Sequence, residues 1–174
     1  MASGAGWHWL TPAARMAATV SGTWPLRGGS VPLGCDGFPR VATRTPGSGL
    51  GSVHAARDFT LATLNRWGVT DRQDDIVVVV SELLTNALRH AVPRPAGVWQ
   101  RGPIRVGLLQ PGPCVLCAVS DPCGEVPAPR EPDWFEETGR GLHVVASLSD
   151  EWGCTAPSDA GKVVWATFGT GSCW

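Results

Sequence analysis

The sequence predicts an α+β fold, a two-layer sandwich in which helices cover one face of a mostly antiparallel sheet. Two helical patterns come first, over about 52–68 and 71–91, and two β-rich runs with a proline-rich turn between them follow. A further helical pattern and a closing strand complete the order helix, helix, strands, helix, strand. A chain of 174 residues with 43% hydrophobic residues can bury one core of this kind.

The second helical pattern is the strongest signal for secondary structure. Its apolar residues recur at i, i+4, i+7, i+8, i+11, i+12 and i+15, which makes a broad buried stripe. This stripe consists of Ile76, Val80, Leu83, Leu84, Ala87, Leu88 and Ala91. Thr70 or Asp71 can cap the helix, and Pro93 prevents its continuation. Four consecutive valines at 77–80 would suit a strand, but the length of the periodic run favours a helix.

Shorter patterns define the other elements. The first helix starts near Ser52, and Gly68 ends it. The β-rich runs 104–109 and 115–120 lie one turn apart, which predicts a β-hairpin. The later elements are a proline-rich, acidic loop over 122–137, a helix over 141–148 and a closing strand over 163–168.

Residues 1–50 have the composition of a disordered or loosely packed N-terminal extension. They hold nine glycines and five prolines, and no apolar period is sustained. The folded domain is therefore predicted over 51–170.

Composition and charge exclude several classes of function. A net charge of -1 without a basic run gives no electrostatic reason to expect nucleic acid as a partner. No apolar run approaches the roughly 20 residues that span a bilayer, so we expect no membrane segment. The six cysteines are scattered, which favours the cytoplasm and reduced thiols. Lys162 is the only lysine among 14 basic residues, a bias that we attribute to base composition rather than to function.

Cys114 and Cys117 form a CxxC pattern inside a predicted strand. Residues three apart on a strand point to opposite faces, so the two thiols would not share a metal ion. No second CxxC follows. We expect no zinc site and interpret both cysteines as small residues of the strand.

The long helix carries a polar stripe beside its apolar one. Glu82, Asn86 and His90 are spaced by four residues each, so they share one face of the helix. A carboxylate and a carboxamide one turn apart can hold a hard cation such as Mg²⁺, together with phosphates and waters. From spacing alone, a solvated helix face is the more common explanation.

A Gly-x-Gly pattern, Gly139-Arg140-Gly141, directly precedes the third helical pattern. Free backbone N–H groups and the positive end of a helix dipole can cradle phosphates there, although many helix starts carry glycine for turn reasons alone. Asp121 ends a predicted strand, where an aspartate can accept a hydrogen bond from an adenine amino group or can simply form a turn.

Together these segments resemble a known family. The run SELLTNALRHA at 81–91 resembles the N box of the histidine-kinase-type ATPase superfamily, and VSD at 119–121 resembles its adenine-reading glycine box. ETGRGL at 137–142 resembles the second glycine box, and GKVVW at 161–165 resembles the closing strand. The likeness covers roughly 52–168 and is greatest to the anti-sigma-factor serine/threonine kinases. It implies a histidine-kinase-type, Bergerat-like fold.

The resemblance also implies a role for each matching residue. Asn86 would coordinate magnesium, and Glu82 would be the catalytic base that accepts the proton of a partner's serine or threonine hydroxyl. Asp121 would read the adenine of ATP. Gly139, Arg140, Gly141 and Leu142 would belong to the nucleotide-binding loop. His90 matches the family pattern, but we assign it no chemistry.

Three departures from the family pattern bear on nucleotide affinity. Cys123 occupies the place of the first glycine of the adenine box, and Gly124 comes one position late. Val163 stands where many members have a threonine that supports the adenine-binding aspartate. The lid segment is short and rich in proline.

Three functions compete. The first is an ATP- and Mg²⁺-dependent kinase that holds a sigma factor inactive and phosphorylates an antagonist protein. The second is a non-catalytic, ATP-dependent module that sequesters a partner. The third, a fragment of a sensor histidine kinase, is disfavoured because His54 lacks the acidic residue that normally follows a phosphoacceptor. Family resemblance implies a homodimer, although no dimer seam is visible in the sequence.

Overall fold

A computed structural model describes residues 40–47, 51–90, 103–122, 140–155 and 161–170. Three helices and five strands lie in these ranges. The helices are α1 (Ser52–Trp67), α2 (Gln73–His90) and α3 (Arg140–Leu148). The strands are β1 (Arg40–Arg44), β2 (Arg105–Gln110), β3 (Cys114–Asp121), β4 (Glu151–Thr155) and β5 (Lys162–Gly169). The predicted helices and the predicted hairpin are therefore confirmed, with ends shifted by one or two residues.

The five strands form one antiparallel sheet in the order β1-β2-β3-β5-β4. The three helices contribute side chains to a single core, and they meet alternate residues of the strands. On β3 these residues are Val115, Cys117 and Val119, and on β5 they are Val164, Ala166 and Phe168. The result is the predicted two-layer α+β sandwich with its core between helices and sheet.

Helix α2 lies at the centre of the helical layer and packs on α1, on α3 and on the central strands β3 and β5. The valine run that would suit a strand is helical, and Val77, Val79 and Val80 are buried. Burial of the long apolar stripe therefore prevails over the local β preference of valine. Asp74 and Asp75 in the first turn complement the positive end of the helix dipole.

Gly68 ends α1 as the sequence predicts. Its φ of 73° is left-handed, and its N–H donates to the carbonyl of Asn65. The N–H of Val69 donates to the carbonyl of Leu64 at 2.9 Å, which completes a Schellman-type cap.

Arg72 joins the start of α2 to the end of α3. Its Nε donates to Asp75 at 2.8 Å, its Nη1 to Asp150 at 3.2 Å and its Nη2 to the carbonyl of Leu148 at 2.5 Å. The guanidinium also lies 5.6 Å from the ring centroid of Phe168 on β5. Arg72 has a φ of 64°, unusual for a residue with a side chain, so its backbone bends sharply into the helix. One side chain thus links the helical layer to the sheet.

Strand β1 is an element that the sequence did not indicate. It lies inside 1–50, the segment expected to be disordered or loosely packed, yet the structure pairs Arg40–Arg44 with β2. The rest of that segment, apart from residues 45–47, lies outside the described residues, as does most of the predicted loop 122–137. Within the described part of the chain, no helix is long and apolar enough to cross a membrane.

Candidate functional site

The polar stripe of α2 faces the start of α3. Glu82 and Asn86 are one turn apart and half-buried, while their neighbours Leu83 and Ala87 are buried in the core. The helix therefore presents two oxygen-bearing side chains at the edge of the core. His90 is the last residue of α2, and its side chain lies outside the described part of the structure.

Gly141, the second residue of α3, lies directly against this stripe. A Cβ on Gly141 would be 2.7 Å from Oε2 of Glu82 and 3.3 Å from Nδ2 of Asn86. Only a residue without a side chain permits this approach with the neighbours in place. The first N–H groups of a helix have no partner within it, so the start of α3 offers donors beside a carboxylate and a carboxamide.

At the other end of the site, Asp121 forms a buried ion pair with Lys162. Nζ of Lys162 lies 3.1 Å from Oδ2 of Asp121, and the two side chains are 5% and 1% exposed. The two residues are opposite each other in the β3–β5 register. Gly161 sets up the pairing: with a φ of 93°, it packs so closely on the carbonyl of Asp121 that a Cβ would collide with it.

Lys162 is a site residue that the sequence pattern did not indicate. Val163 stands where many family members have a threonine that supports the aspartate, but in this structure the register pairs Val163 with Ser120. Neighbouring residues of a strand point to opposite faces, so Lys162 is the residue that meets the aspartate. Its occurrence as the only lysine of the chain was the available signal.

A pocket connects the two ends of the site. It has about 320 Å³ of empty space, part of it open to solvent. Its lining consists of Leu83, Asn86, Ala87, Val119, Asp121, Leu142, Lys162 and Val164. The lining is therefore mostly apolar, and its polar groups are the carboxamide of Asn86 and the ion pair of Asp121 and Lys162. Such an arrangement suits a largely apolar ligand that also carries a few polar groups.

Three of the predicted site residues, Asn86, Asp121 and Leu142, thus line one pocket. Two more, Glu82 and Gly141, lie close together beside Asn86. Arg140 is the first residue of α3, and its side chain lies outside the described part of the structure. Gly139 lies outside the described residues, as do Cys123 and the lid prolines after Pro122.

The charge of Lys162 reaches Cys154 on β4. Burial raises the pKa of the Cys154 thiol to about 11, although the ammonium of Lys162 lowers it. Cys117 is fully buried on the core face of β3, and desolvation raises its pKa to about 12. Cys114 is half-buried three residues away on the strand. No group of three potential metal-ligating His, Cys, Asp or Glu residues occurs within the described ranges.

The fold is the two-layer α+β sandwich of the histidine-kinase-type ATPases. A family model described as the histidine kinase-like ATPase domain matches residues 48–168. The chain belongs to this family. A comparison with curated proteins finds no match.

Among solved structures, the fold is similar to that of the RsbU and RsbW domains of Rv1364c from Mycobacterium tuberculosis, with a TM-score of 0.53 at 21% identity. The match covers 74% of this chain and 32% of that one, so the chain spans about a third of the length of the larger protein.

The residues of the site fit a magnesium nucleotide. Gly141 approaches α2 so closely that a Cβ would meet a carboxylate oxygen of Glu82 and the carboxamide of Asn86, so the start of α3 lies beside two oxygen-bearing side chains. Oxygen ligands of this kind suit Mg²⁺ when phosphates and waters complete the shell. The apolar lining suits a nucleobase, and the buried carboxylate of Asp121 supplies a hydrogen-bond acceptor among these residues.

Proposed function

We propose that this chain binds ATP with Mg²⁺ in the pocket between α2, α3 and the sheet. We further propose that it transfers the γ-phosphate to a serine or threonine of an antagonist protein, as an anti-sigma-type regulator. The approach of Gly141 to Glu82 and Asn86 is the observation on which this proposal rests. It supports a site in which phosphates, a cation and a proton acceptor would meet at the start of one helix.

Each predicted residue has a role in this proposal. Asn86 would hold the magnesium ion through its carboxamide oxygen, and Asp121 would accept a hydrogen bond from the amino group of adenine. Leu142 would contact the apolar part of the nucleotide. Gly139 and Arg140 would donate backbone N–H groups to the phosphates. Mg²⁺ would neutralise the negative charge of the phosphate oxygens.

Glu82 would act as the general base. Its carboxylate would accept the proton of the serine or threonine hydroxyl while the hydroxyl oxygen forms a bond to the γ-phosphorus. The bond between the γ-phosphorus and the bridging oxygen would break, and ADP would leave. The half-buried position of Glu82 beside Gly141 supports this role, because the start of α3 would bring the phosphates to the carboxylate.

The proposed partners are a sigma factor and its antagonist protein, and the proposed form is a cytoplasmic homodimer. These proposals rest on the likeness of the N box and the second glycine box to the anti-sigma kinases. The matching structure, described as RsbU and RsbW domains of one chain, supports a regulator of this general class.

A non-catalytic, ATP-dependent sequestering module is the second candidate. Cys123 in the place of the first glycine of the adenine box favours it, because a side chain there can weaken the contact with the base. Both candidates need the nucleotide pocket. Only the kinase needs Glu82 as a base.

Calorimetric titration of the full chain with ATP, with and without Mg²⁺, tests nucleotide binding. We expect binding that depends on Mg²⁺ and that Asn86→Ala removes without loss of folded structure, because Asn86 faces the pocket. If millimolar ATP does not bind, the nucleotide proposal fails.

Transfer of a labelled γ-phosphate from ATP to protein in a cell extract then separates the two candidates. Glu82→Gln is the matched variant: we expect it to bind ATP as the native chain does and to label no serine or threonine. A native chain that binds ATP but labels no protein would favour the sequestering module. A Glu82→Gln variant that still labels protein would exclude Glu82 as the base.

A further inference from the structure

The base end of the pocket contains an ion pair that stability of the fold does not explain. Asp121 and Lys162 are almost completely buried, and apolar side chains, Val119 and Val164 among them, line the pocket around them. Removing two charges from water carries a large desolvation penalty, which their mutual attraction often fails to offset. Two apolar residues of similar volume would serve the core equally well or better.

The basic residue of this ion pair is a lysine, although almost all other basic residues of the chain are arginines. Arginine provides the other 13 of the 14 basic residues, and the only lysine lies here. A guanidinium would form a flat, bidentate pair with Asp121, whereas an ammonium directs three N–H donors in different directions. Nζ of Lys162 lies 3.1 Å from one carboxylate oxygen of Asp121, and Lys162 also lines the pocket, so an ammonium with three donors can serve both the aspartate and a ligand.

We propose that Lys162 is a base-reading residue of this pocket. Its ammonium donates a hydrogen bond to a ring nitrogen beside the amino group of adenine, while Asp121 accepts a hydrogen bond from that amino group. The pair therefore reads a donor and the adjacent acceptor on one edge of the base. This inference rests on the proposed nucleotide site and adds a second specificity residue to it.

The ion pair makes this recognition stronger than a lone aspartate would. The hydrogen bond that Lys162 donates to the base comes from a charged ammonium, and such bonds are shorter and stronger than those between neutral groups. A hydrogen bond to a charged group is worth about a tenfold or larger change in affinity. Guanine offers a carbonyl beside a ring N–H, which the same pair could also meet, so GDP is a necessary comparison.

Adenine analogues test the proposal on the full chain. Affinities for ADP, 1-deaza-ADP, 7-deaza-ADP and GDP are measured by calorimetry with Mg²⁺, for the native chain and for Lys162→Met. We expect one deaza analogue to bind the native chain about tenfold more weakly than ADP, and this difference to disappear in Lys162→Met. Arg72→Met is the matched control: it removes another paired cation, outside the pocket, and should keep the native preference.

The outcomes separate this inference from the proposed function. If the native chain binds no nucleotide, the site itself fails. If it binds ADP and both deaza analogues equally, or if Lys162→Met keeps the native preference, the site stands and the role of Lys162 is wrong. Tighter binding of GDP than of ADP would also contradict the proposal that Asp121 and Lys162 recognise adenine.

A second measurement needs no variant, in case Lys162→Met does not fold. Selective isotope labelling of lysine gives one side-chain nitrogen signal in NMR, because the chain has one lysine. We expect ADP to shift this signal, and the weakly binding deaza analogue to shift it differently at saturation. A signal that stays unchanged at saturating ADP would overturn the proposal.

Discussion

Gly141 lies against the carboxylate of Glu82, and a Cβ there would come within 2.7 Å of Oε2. The carboxylate is the end of a flexible side chain, so it can turn away without disturbing the backbone of α2 or α3. Alanine also stabilises a helix interior by about 0.5–1 kcal/mol relative to glycine. The glycine is therefore better explained by the site than by stability.

We predict that Gly141→Ala leaves the free energy of unfolding within about 1 kcal/mol of the native value and lowers phosphotransfer at least about tenfold, because the displaced Glu82 loses its position. Urea unfolding and labelled-phosphate transfer check the two parts. Gly51→Ala, where nothing lies within 4 Å of the added Cβ, is the control and should transfer phosphate normally. Equal activity of both variants would contradict the prediction.

Gly161 gives the second prediction. Gly161→Ala combines an unfavourable φ of 93° with a collision against the carbonyl of Asp121, which is backbone and cannot turn aside. Gly68→Ala has a similar φ of 73°, but its added Cβ meets nothing within 4 Å. It therefore measures the cost of the left-handed backbone conformation without a collision. We expect Gly68→Ala to lower the free energy of unfolding by about 1 kcal/mol, and Gly161→Ala to lower it by at least twice as much.

Because Gly161 positions Lys162 beside Asp121, Gly161→Ala should also weaken nucleotide binding, whereas Gly68→Ala should not. Urea unfolding and calorimetry measure the two effects on the same samples. Equal losses of stability in the two variants would show that the close approach to Asp121 contributes nothing.

The helices could be predicted because their signals are local. The apolar stripe of α2 repeats over four turns, and its burial stabilises the helix. The same burial fixes which side of the helix is polar, and Glu82 and Asn86 lie on that side. Gly141 could be placed at a helix start for the same reason. That it meets Glu82 depends on the packing of α3 on α2, which no local pattern encodes. The resemblance to a family implied only that both residues belong to one nucleotide site.

The pairing of Asp121 with Lys162 could not be predicted from local patterns. It depends on the register of two strands about 40 residues apart in the sequence, and a shift by one residue would bring Val163 to the aspartate instead. β1 was missed for another reason. Its residues are mostly exposed, and backbone pairing with β2 rather than an apolar face orders this edge strand.

Arg72 provides a prediction on stability alone. Arg72→Ala removes hydrogen bonds to Asp75, to Asp150 and to the carbonyl of Leu148, and the contact with Phe168. Its side chain is 33% exposed, so solvent screens the two ion pairs in part. We expect the free energy of unfolding to fall by about 1–3 kcal/mol.

Nucleotide affinity should not change in Arg72→Ala, because Arg72 lies outside the pocket lining. Arg66→Ala, at an exposed position of α1, is the control and should change stability by less than about 0.5 kcal/mol. High salt should reduce the difference in the free energy of unfolding between the two variants without removing it. The hydrogen bond to the carbonyl of Leu148 and the contact with the Phe168 ring depend less on salt than the two ion pairs do. If the two variants had equal free energies of unfolding at low salt, Arg72 would not stabilise the packing of the helices on the sheet.

Because of Cys117, we expect the free energy of unfolding to fall as the pH rises in the alkaline range. Burial raises the pKa of its thiol from 9.0 to about 12, whereas the thiol of the unfolded chain ionises near its usual value. Between these two values the unfolded chain has released a proton that the folded chain retains. A rise in pH therefore favours unfolding: the contribution of this thiol is complete below about pH 9 and is lost progressively up to about pH 12.

We predict that the free energy of unfolding falls with a slope of up to about 1.4 kcal/mol per pH unit from this thiol inside that window. Cys117→Val should reduce the slope, because valine fills the same apolar site and cannot ionise. Cys154, with a pKa raised to about 11, adds a slope of the same sign over a narrower range, so the slope should shrink rather than vanish. Urea unfolding at several pH values from about 8 to 10.5 measures it. The half-buried Cys114 on the same strand supplies the control, and equal slopes for Cys117→Val and Cys114→Val would show that burial of Cys117 does not govern the alkaline limit.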